Sequence, residues 1–284
     1  MNIEGLKHEF IENINARPEE FVTKVVEYFE IVMPSDGACV IAVNGYGYEV
    51  KADEFAVVLP DEAFRFVKAE ANTSVSVLKI YPYVAGVGPE LETSLLSFKE
   101  KFISKKLRVF SFPAAKWGLA RDCMIRICLS EIPDNDGWQF AYLATMLSEI
   151  KSFGEPSGPS EAEPVYMEKE MPIFEEVAGF IAENLTKIES LTFLQEKTGQ
   201  KTSTVNRVFR KLTGTSTWNY ILRKRLDLAC VMIIKGGRAA EAATASGFKD
   251  YSVFYRLFMG TYGIAPTAVK KTGNVPMKMP RSNS

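Results

Sequence analysis

Residues 190–214 and 238–263 are written on one plan, and that plan restricts the fold more than any other part of the chain. Each begins with a short helical pattern, turns at a glycine, and continues into a longer helical pattern that stops at a second glycine. In the first, a helix around 190–197 meets Gly199, a residue suited to a left-handed turn position. The next helix starts near Lys201 or Thr202, with Val205, Val208, Phe209 and Leu212 at i, i+3, i+4 and i+7. This spacing gathers them on one side as a buried stripe. Ser203, Asn206, Arg207 and Arg210 repeat the spacing on the opposite side. In the second, a helix around 238–245 precedes Gly247-Phe248, and a longer helix follows from about Asp250, which is suited to cap it. Phe254, Leu257 and Phe258 fall inward, while Ser252, Tyr255 and Arg256 fall outward with Tyr251 near the start; Gly263 and Pro266 close the helix. A helix that only packs is indifferent to what covers its outer side. Two helix-turn-helix units whose second helices carry defined polar outer faces are suited to entering a DNA groove.

Residues 217–234 between them form one connecting helix of about 26 Å at 1.5 Å per residue, with Arg223, Lys224 and Arg225 along it. Two recognition helices on one rod could address major-groove segments about one turn, roughly 34 Å, apart. The charge pattern agrees. Net charge is −1 overall, but residues 1–171 carry 17 Lys+Arg against 27 Asp+Glu, whereas residues 172–284 carry 17 against 8. The basic part is the one with a polyanionic partner.

Residues 154–164, GEPSGPSEAEP, have linker composition and lie near the change of sign. Before them, Val40-Ile41-Ala42-Val43 runs into Asn44-Gly45, the favoured dipeptide of a tight hairpin. Tyr46 to Val50, Phe55 to Leu59, Phe64 to Val67 and Val75 to Tyr81 follow as strands at roughly ten-residue spacing, with turns at Asp53-Glu54 and Pro60-Asp61. That spacing predicts a small antiparallel barrel or sandwich. Helical patterns follow at about 91–106, 114–131 and 138–152, the last with Phe140, Leu143, Ala144, Leu147 and Ile150 on one side; the helices of 114–152 are either core or a dimer face.

The C-terminal part resembles the DNA-binding domain of the AraC/XylS family of bacterial transcription regulators. The residues that carry the resemblance are Gly247-Phe248-Lys249-Asp250-Tyr251-Ser252 with Phe254, Arg256 and Phe258, then Tyr262-Gly263 and Pro266. Asn206-Arg207-Val208-Phe209-Arg210-Lys211 with Thr213-Gly214, and Arg225-Leu226 with Ala229, fit the first unit and the connecting helix. The likeness runs from about Ile173 to Lys271. It implies that Ser203, Asn206, Arg207, Arg210, Tyr251, Ser252, Tyr255 and Arg256 contact DNA, and Lys201, Thr202 and Lys249 at the helix starts complete the expected set. Some positions depart from the family. Gln195 stands where a small Ala is usual, and Lys201 replaces a capping Ser. Ala239, Ala242 and Ser246 replace bulky aliphatics, and Met259-Gly260 replaces a basic pair, so the second unit is expected to pack less tightly and grip phosphate less.

Tyr48 to Phe66 resembles the cupin-like sensor barrel of AraC-type regulators. The expected fold is thus α+β with two domains: residues 1–153 a cupin-like antiparallel β-barrel followed by helices, 154–171 a linker, 172–272 an all-α double helix-turn-helix domain, and 273–284 a flexible tail. A small molecule could be held among Tyr46, Tyr48, Phe55, Phe64 and Phe66, or those rings could be core; a regulatory protein is the other controller the resemblance allows. Catalysis lacks parts. His8, read as a solvated N-terminal residue, is the only histidine, so Ser-His-Asp, Cys-His and histidine metal sites are excluded. No metal and no cofactor are expected, and a metal-free isomerase barrel has no acid–base pair to name. The Gly45-x-Gly47 sequence is a hairpin rather than a nucleotide loop, and Asp53-Glu54 and Asp61-Glu62 are read as solvated turn charges. Four scattered cysteines read as buried free thiols. With no apolar signal core in MNIEGLKHEF and no membrane-length apolar run, the chain is expected in the cytoplasm. The function these features imply is a sequence-specific transcription regulator, an activator, bound to a promoter operator as a possible homodimer through helices 114–152 and in touch with RNA polymerase. A ligand- or protein-binding module with weakened DNA binding is the alternative.

Overall fold

The structure is a computed structural model that describes residues 6–26, 29–80, 108–111, 155–156 and 170–272, with isolated helical positions between 119 and 149. The chain divides into two compact units, Met1–Tyr166 and Met167–Ser284.

Among the described residues of the first unit, ten strands form two antiparallel sheets: β1 Leu6–Ile11, β2 Lys24–Val25, β3 Phe29–Pro34, β4 Ala38–Val43, β5 Tyr46–Lys51, β6 Glu54–Val58, β7 Ala63–Ala69, β8 Val75–Ile80, β9 Val109–Ser111 and β10 Glu155–Pro156. Strand order is β1-β8-β3-β6-β9-β10 in one sheet and β2-β7-β4-β5 in the other. The expected barrel is therefore two facing sheets whose ladders do not join among the described residues. Asn44 and Gly45 turn β4 into β5 with φ of 48° and 79°, the paired positive values of a tight primed hairpin turn, and Val43 pairs with Tyr46 across it. Alternate residues of both sheets point into one core, among them Val32, Ile41, Val50, Phe66 and Val77.

Three features differ from the sequence reading. Leu6–Ile11 is a strand, so His8 is not solvated: it lies opposite Leu78 with its Nε2 buried and without a hydrogen-bond partner, and burial lowers its pKa. Glu62 is not a solvated turn charge. It forms a buried ion pair with Arg108 and accepts the Leu59 N–H at 2.8 Å, fixing the turn before β7. Glu155 and Pro156, expected in the linker, pair with Ser111 and Phe110. Proline is tolerated there because β10 is the edge of its sheet. Of the expected helices, 91–106 lies outside the described residues; 114–131 and 138–152 are described only at isolated positions, which are helical. The tail 273–284 also lies outside the described residues.

Among the described residues of the second unit there are seven helices: α1 Met171–Asn184, α2 Leu191–Thr198, α3 Thr202–Thr213, α4 Thr217–Ile234, α5 Ala239–Ala245, α6 Tyr251–Tyr262 and α7 Pro266–Thr272. Gly199, Gly214 and Gly263 end α2, α3 and α6 in the left-handed region, with φ between 70° and 74°, where a side chain would be strained. Ser190 and Ser216 cap α2 and α4 by accepting the Phe193 and Asn219 N–H groups.

Candidate nucleic-acid interface

Helix α3 buries Val205, Val208, Phe209 and Leu212, as its spacing requires. Phe209 sits against Phe174 of α1 at 4.9 Å and Tyr220 of α4 at 5.1 Å between ring centroids, so three helices share one aromatic cluster. Burial of each such ring contributes about 1.5–3 kcal/mol. With that side fixed, Lys201, Ser203, Arg207 and Arg210 are exposed on the other. Asn206, expected among them, is less exposed than its neighbours on that side. It is half-buried, and its carboxamide oxygen accepts the Thr217 N–H at 3.1 Å, holding the start of α4 against α3. Thr202 is also engaged: its N–H and hydroxyl both donate to Gln195 Oε1, at 3.1 and 3.0 Å. Lys201 makes no side-chain cap, so the amide of Gln195, reaching across the turn from α2, meets an otherwise unpaired amide of the first turn.

Two of the exposed cations are held by one acid. Glu170, just before α1, accepts from Arg207 at 3.1 Å and Lys211 at 3.3 Å. The hydrogen bond from Arg207 holds its carboxyl below the usual range, and that from Lys211 adds to it. Lys211 was not singled out in the sequence; its exposure beside Arg207 adds it to the cationic edge of α3.

Helix α6 buries Phe254, Phe258 and Tyr262. Phe248, Phe254, Phe258 and Tyr262 form a chain of ring contacts with centroids 4.5–5.4 Å apart. The small Ala242 and Ser246 are both buried. The Tyr262 hydroxyl donates to the buried Asp227 of α4 at 2.8 Å. Asp250 accepts the Ser252 and Val253 N–H groups and caps α6 as its position predicts. Lys249, Tyr251, Ser252, Tyr255 and Arg256 are all exposed, and Lys249 pairs with the exposed Glu189 at 2.9 Å, a contact of small energetic weight.

The rod between the two helix-turn-helices is tied down by a residue that the sequence places among its basic side chains and in the family resemblance. Arg225 is 5% exposed. It donates from Nε and Nη2 to the Leu185 carbonyl and from Nη2 to the Ile188 carbonyl, closing the turn between α1 and α2. Its guanidinium lies over the Trp218 ring at 5.8 Å. Gly247, in the turn of the second unit, is pressed on the same group: a Cβ there would lie 2.9 Å from Arg225 Nε and 3.1 Å from Thr186 Cα, and its φ is 96°. Arg225 thus joins the α1–α2 turn, the rod and the turn before α6.

In the first unit four of the five aromatic ligand candidates meet in the core, and Phe55 lies apart from them. Tyr48, Phe64 and Phe66 belong to the core between the sheets, with Tyr46 half-buried against it. Phe55 alternates to the opposite face of β6 from the core residues Ala56 and Val58 and stacks on Phe110 at 5.4 Å. What the core does hold at one end is charge. Glu30 is 3% exposed with Oε2 unpartnered, while Lys79, its neighbour across β8, pairs with Glu9 at 2.7 Å, and Lys24 pairs with Glu20. Burial pushes the Glu30 carboxyl above 4.5, and Lys79 opposes this only in part. The folded chain then binds the Glu30 proton more tightly than the unfolded chain, so stability is lost as pH rises from about 4.5 through the folded value. Glu30→Gln is expected to raise stability near neutral pH, with the gain vanishing near pH 4; urea unfolding of the full chain at both pH values checks it. Among the described residues no His/Cys/Asp/Glu group could hold a metal, and no helix is long and apolar enough to cross a membrane. Cys39, Cys123 and Cys230 are buried free thiols, and burial pushes Cys39 and Cys230 up to about 12.

A protein family described as "Helix-turn-helix domain" matches residues 194–272, which span α3 to α7, both glycine turns and all of α2 but its first three residues. No curated protein matches the chain. Among solved structures, ToxT from Vibrio cholerae O395 is similar at 12% identity over 95% of this chain and 98% of that one, with a TM-score of 0.37. The C-terminal domain of the response regulator yesN from Fusobacterium nucleatum is 25% identical over 35% of this chain and 98% of its own, with a TM-score of 0.33. A structure described as "a probable AraC family transcriptional regulator" from Rhodopseudomonas palustris is 21% identical over 35% and 95%, with a TM-score of 0.32.

Proposed function

We propose that the chain, whose residues 194–272 match a helix-turn-helix domain family, is a sequence-specific DNA-binding transcription regulator, an activator, that reads two adjacent major-groove segments of a promoter operator. The observation that carries this is the pairing of α3 and α6. Each follows a glycine turn, each is fixed by a buried aromatic side, and each leaves a side-chain set exposed for a groove while α4 joins them. The excess of basic residues in 172–284 supports a polyanionic partner. Arg207 and Arg210 read base edges from α3, with Lys201 and Ser203 beside them; Tyr251, Ser252, Tyr255 and Arg256 do so from α6, with Lys249 at its start. Glu170 competes for Arg207, so DNA binding exchanges a carboxylate for base and phosphate oxygens. The N-terminal domain, residues 1–153, controls the DNA-binding domain through a small ligand or a regulatory protein and pairs two copies through helices 114–152, and the bound regulator contacts RNA polymerase. The protein works in the cytoplasm and without catalysis.

The test uses the full chain and operators selected from a random DNA pool. Binding should weaken steeply with salt, with a log–log slope of about −0.9 per neutralised phosphate. Arg207→Ala should cost roughly 1–3 kcal/mol on the selected operator and relax discrimination at one base pair. Equal loss on operator and random DNA would show that Arg207 is not a reader. A second reading, an interaction module that no longer grips DNA, is favoured by the exposed Met259 on α6, where a basic pair is usual in the AraC/XylS family. Absence of any retardation at low salt would select it.

A further inference from the structure

The two outer faces differ in kind. On α3 the exposed side chains are polar or cationic: Ser203, Arg207, Arg210 and Lys211. On α6, Tyr251 is 42% exposed, Tyr255 40% and Met259 36%. They stand at i, i+4 and i+8, one above another along the helix, and the two tyrosine rings are 6.3 Å apart. Ser252 and Arg256 flank this stripe, and Arg256 is the one cation of α6. The remaining large apolar side chains exposed among the described residues are scattered over other elements.

We infer that α6 reads its half of the operator chiefly through thymine C5-methyl groups, which Tyr251, Tyr255 and Met259 cover, rather than through arginine bidentate to guanine. This rests on the DNA-binding function proposed above. Methionine has no hydrogen-bond donor, and tyrosine offers one hydroxyl at the far end of a ring, so neither can reproduce the paired donors that select guanine O6 and N7. In the major groove the apolar feature that separates one base pair from another is the thymine methyl. Eight residues of helix span about 12 Å, close to the width of that groove. The stripe therefore fits along the groove-facing part of α6 without overrunning it. The excess of basic side chains in residues 172–284 makes the uncovered face complementary to a polyanion with apolar points, which DNA is. The inference also accounts for Met259 in place of a basic residue: grip on phosphate is exchanged for a contact with a base. The helix-turn-helix containing α3 then supplies most of the salt-sensitive binding, and the one containing α6 supplies discrimination that depends little on salt.

The experiment replaces thymines by deoxyuridine, one at a time, in an operator selected from a random pool by the full chain; this removes the methyl and leaves every hydrogen-bonding group. Arg207→Ala and Arg256→Ala assign the two half-sites, each weakening one of them. The expected result is a loss of about fourfold per contacted methyl in the α6 half-site, little change in the α3 half-site, and disappearance of the penalty in Tyr255→Ser and Met259→Ser. Both substitutions lie on exposed positions, and unchanged circular dichroism confirms that they leave the fold intact. Specific binding that tolerates deoxyuridine everywhere, or a penalty that persists in both serine variants, overturns the inference alone. If the stripe instead serves a protein, Tyr255→Ser leaves affinity for both operators unchanged, which overturns it as well. Failure to select any DNA overturns the regulator function and this inference together.

Discussion

Replacing Arg225 by methionine should lower the stability of the C-terminal unit by about 3–5 kcal/mol, the range for removing one partner from a buried charged contact. Methionine keeps most of the stem but none of the donors, so the Leu185 and Ile188 carbonyls lose their three hydrogen bonds where water has little access. Each bond from a charged donor contributes about 1.5–3 kcal/mol, and the cost of leaving the carbonyls bare adds to the loss. Lysine at 225 should recover only part of it, since a single ammonium cannot span two carbonyls as the guanidinium does. Trp218 supplies the readout. Its ring faces the guanidinium at 5.8 Å, so its fluorescence follows the junction through a urea titration. A loss below about 1 kcal/mol would mean that water reaches the two carbonyls and substitutes for the side chain.

Phe209→Ala should cost a similar amount, about 3–5 kcal/mol, by a different route. The ring is buried at the meeting point of α1, α3 and α4, in contact with Phe174 and Tyr220. Its removal leaves a cavity that the helices cannot readily close. Helix α3 is held at its start by Gln195 and against α4 by Asn206, so it is not free to sink into the space. The same variant should weaken operator binding beyond the effect of Arg207→Ala, because it disorders the whole outer face of α3 rather than deleting one donor. Chemical denaturation and binding isotherms on one preparation test both statements. Near-normal stability would show that Phe174 or Tyr220 swings in to fill the void.

Local chemistry was the legible part of this molecule. The Asn44-Gly45 hairpin, the left-handed glycines at 199 and 263, the Asp250 cap and the buried stripe of α3 each depend on a few adjacent residues, and the structure has them where the spacing predicts; on α6 Phe254 and Phe258 are buried as expected, but Leu257 is only half-buried. Contacts between residues distant in sequence were not legible. Glu62 looked like a turn charge because its partner, Arg108, lies 46 residues away. Arg225 looked like one of three basic residues along a rod, and only its packing on residues 185–188 turns it inward. Asn206 has the spacing of a reader, yet the start of α4 folds back within reach of its oxygen. Strand β1 was hidden because His8 and Glu9 break the apolar pattern that alternation would show, and Phe55 could not be assigned a face until the register of β6 with β3 was known. Among the interface residues, Met259 had a signal that could have been used: it continues the i, i+4 series of Tyr251 and Tyr255.

The contact between Gln195 and Thr202 bears on how this domain can change. An amide on one helix completes the beginning of the next, which leaves position 201 free to carry lysine. A serine at 201 would serve neighbouring amides of the same turn and relax the demand on 195, after which a smaller residue there becomes tolerable. Shortening 195 first would open the start of α3 with nothing to replace it. Descent between the two arrangements therefore has a preferred order of steps, and homologues should hold the two positions in matched combinations.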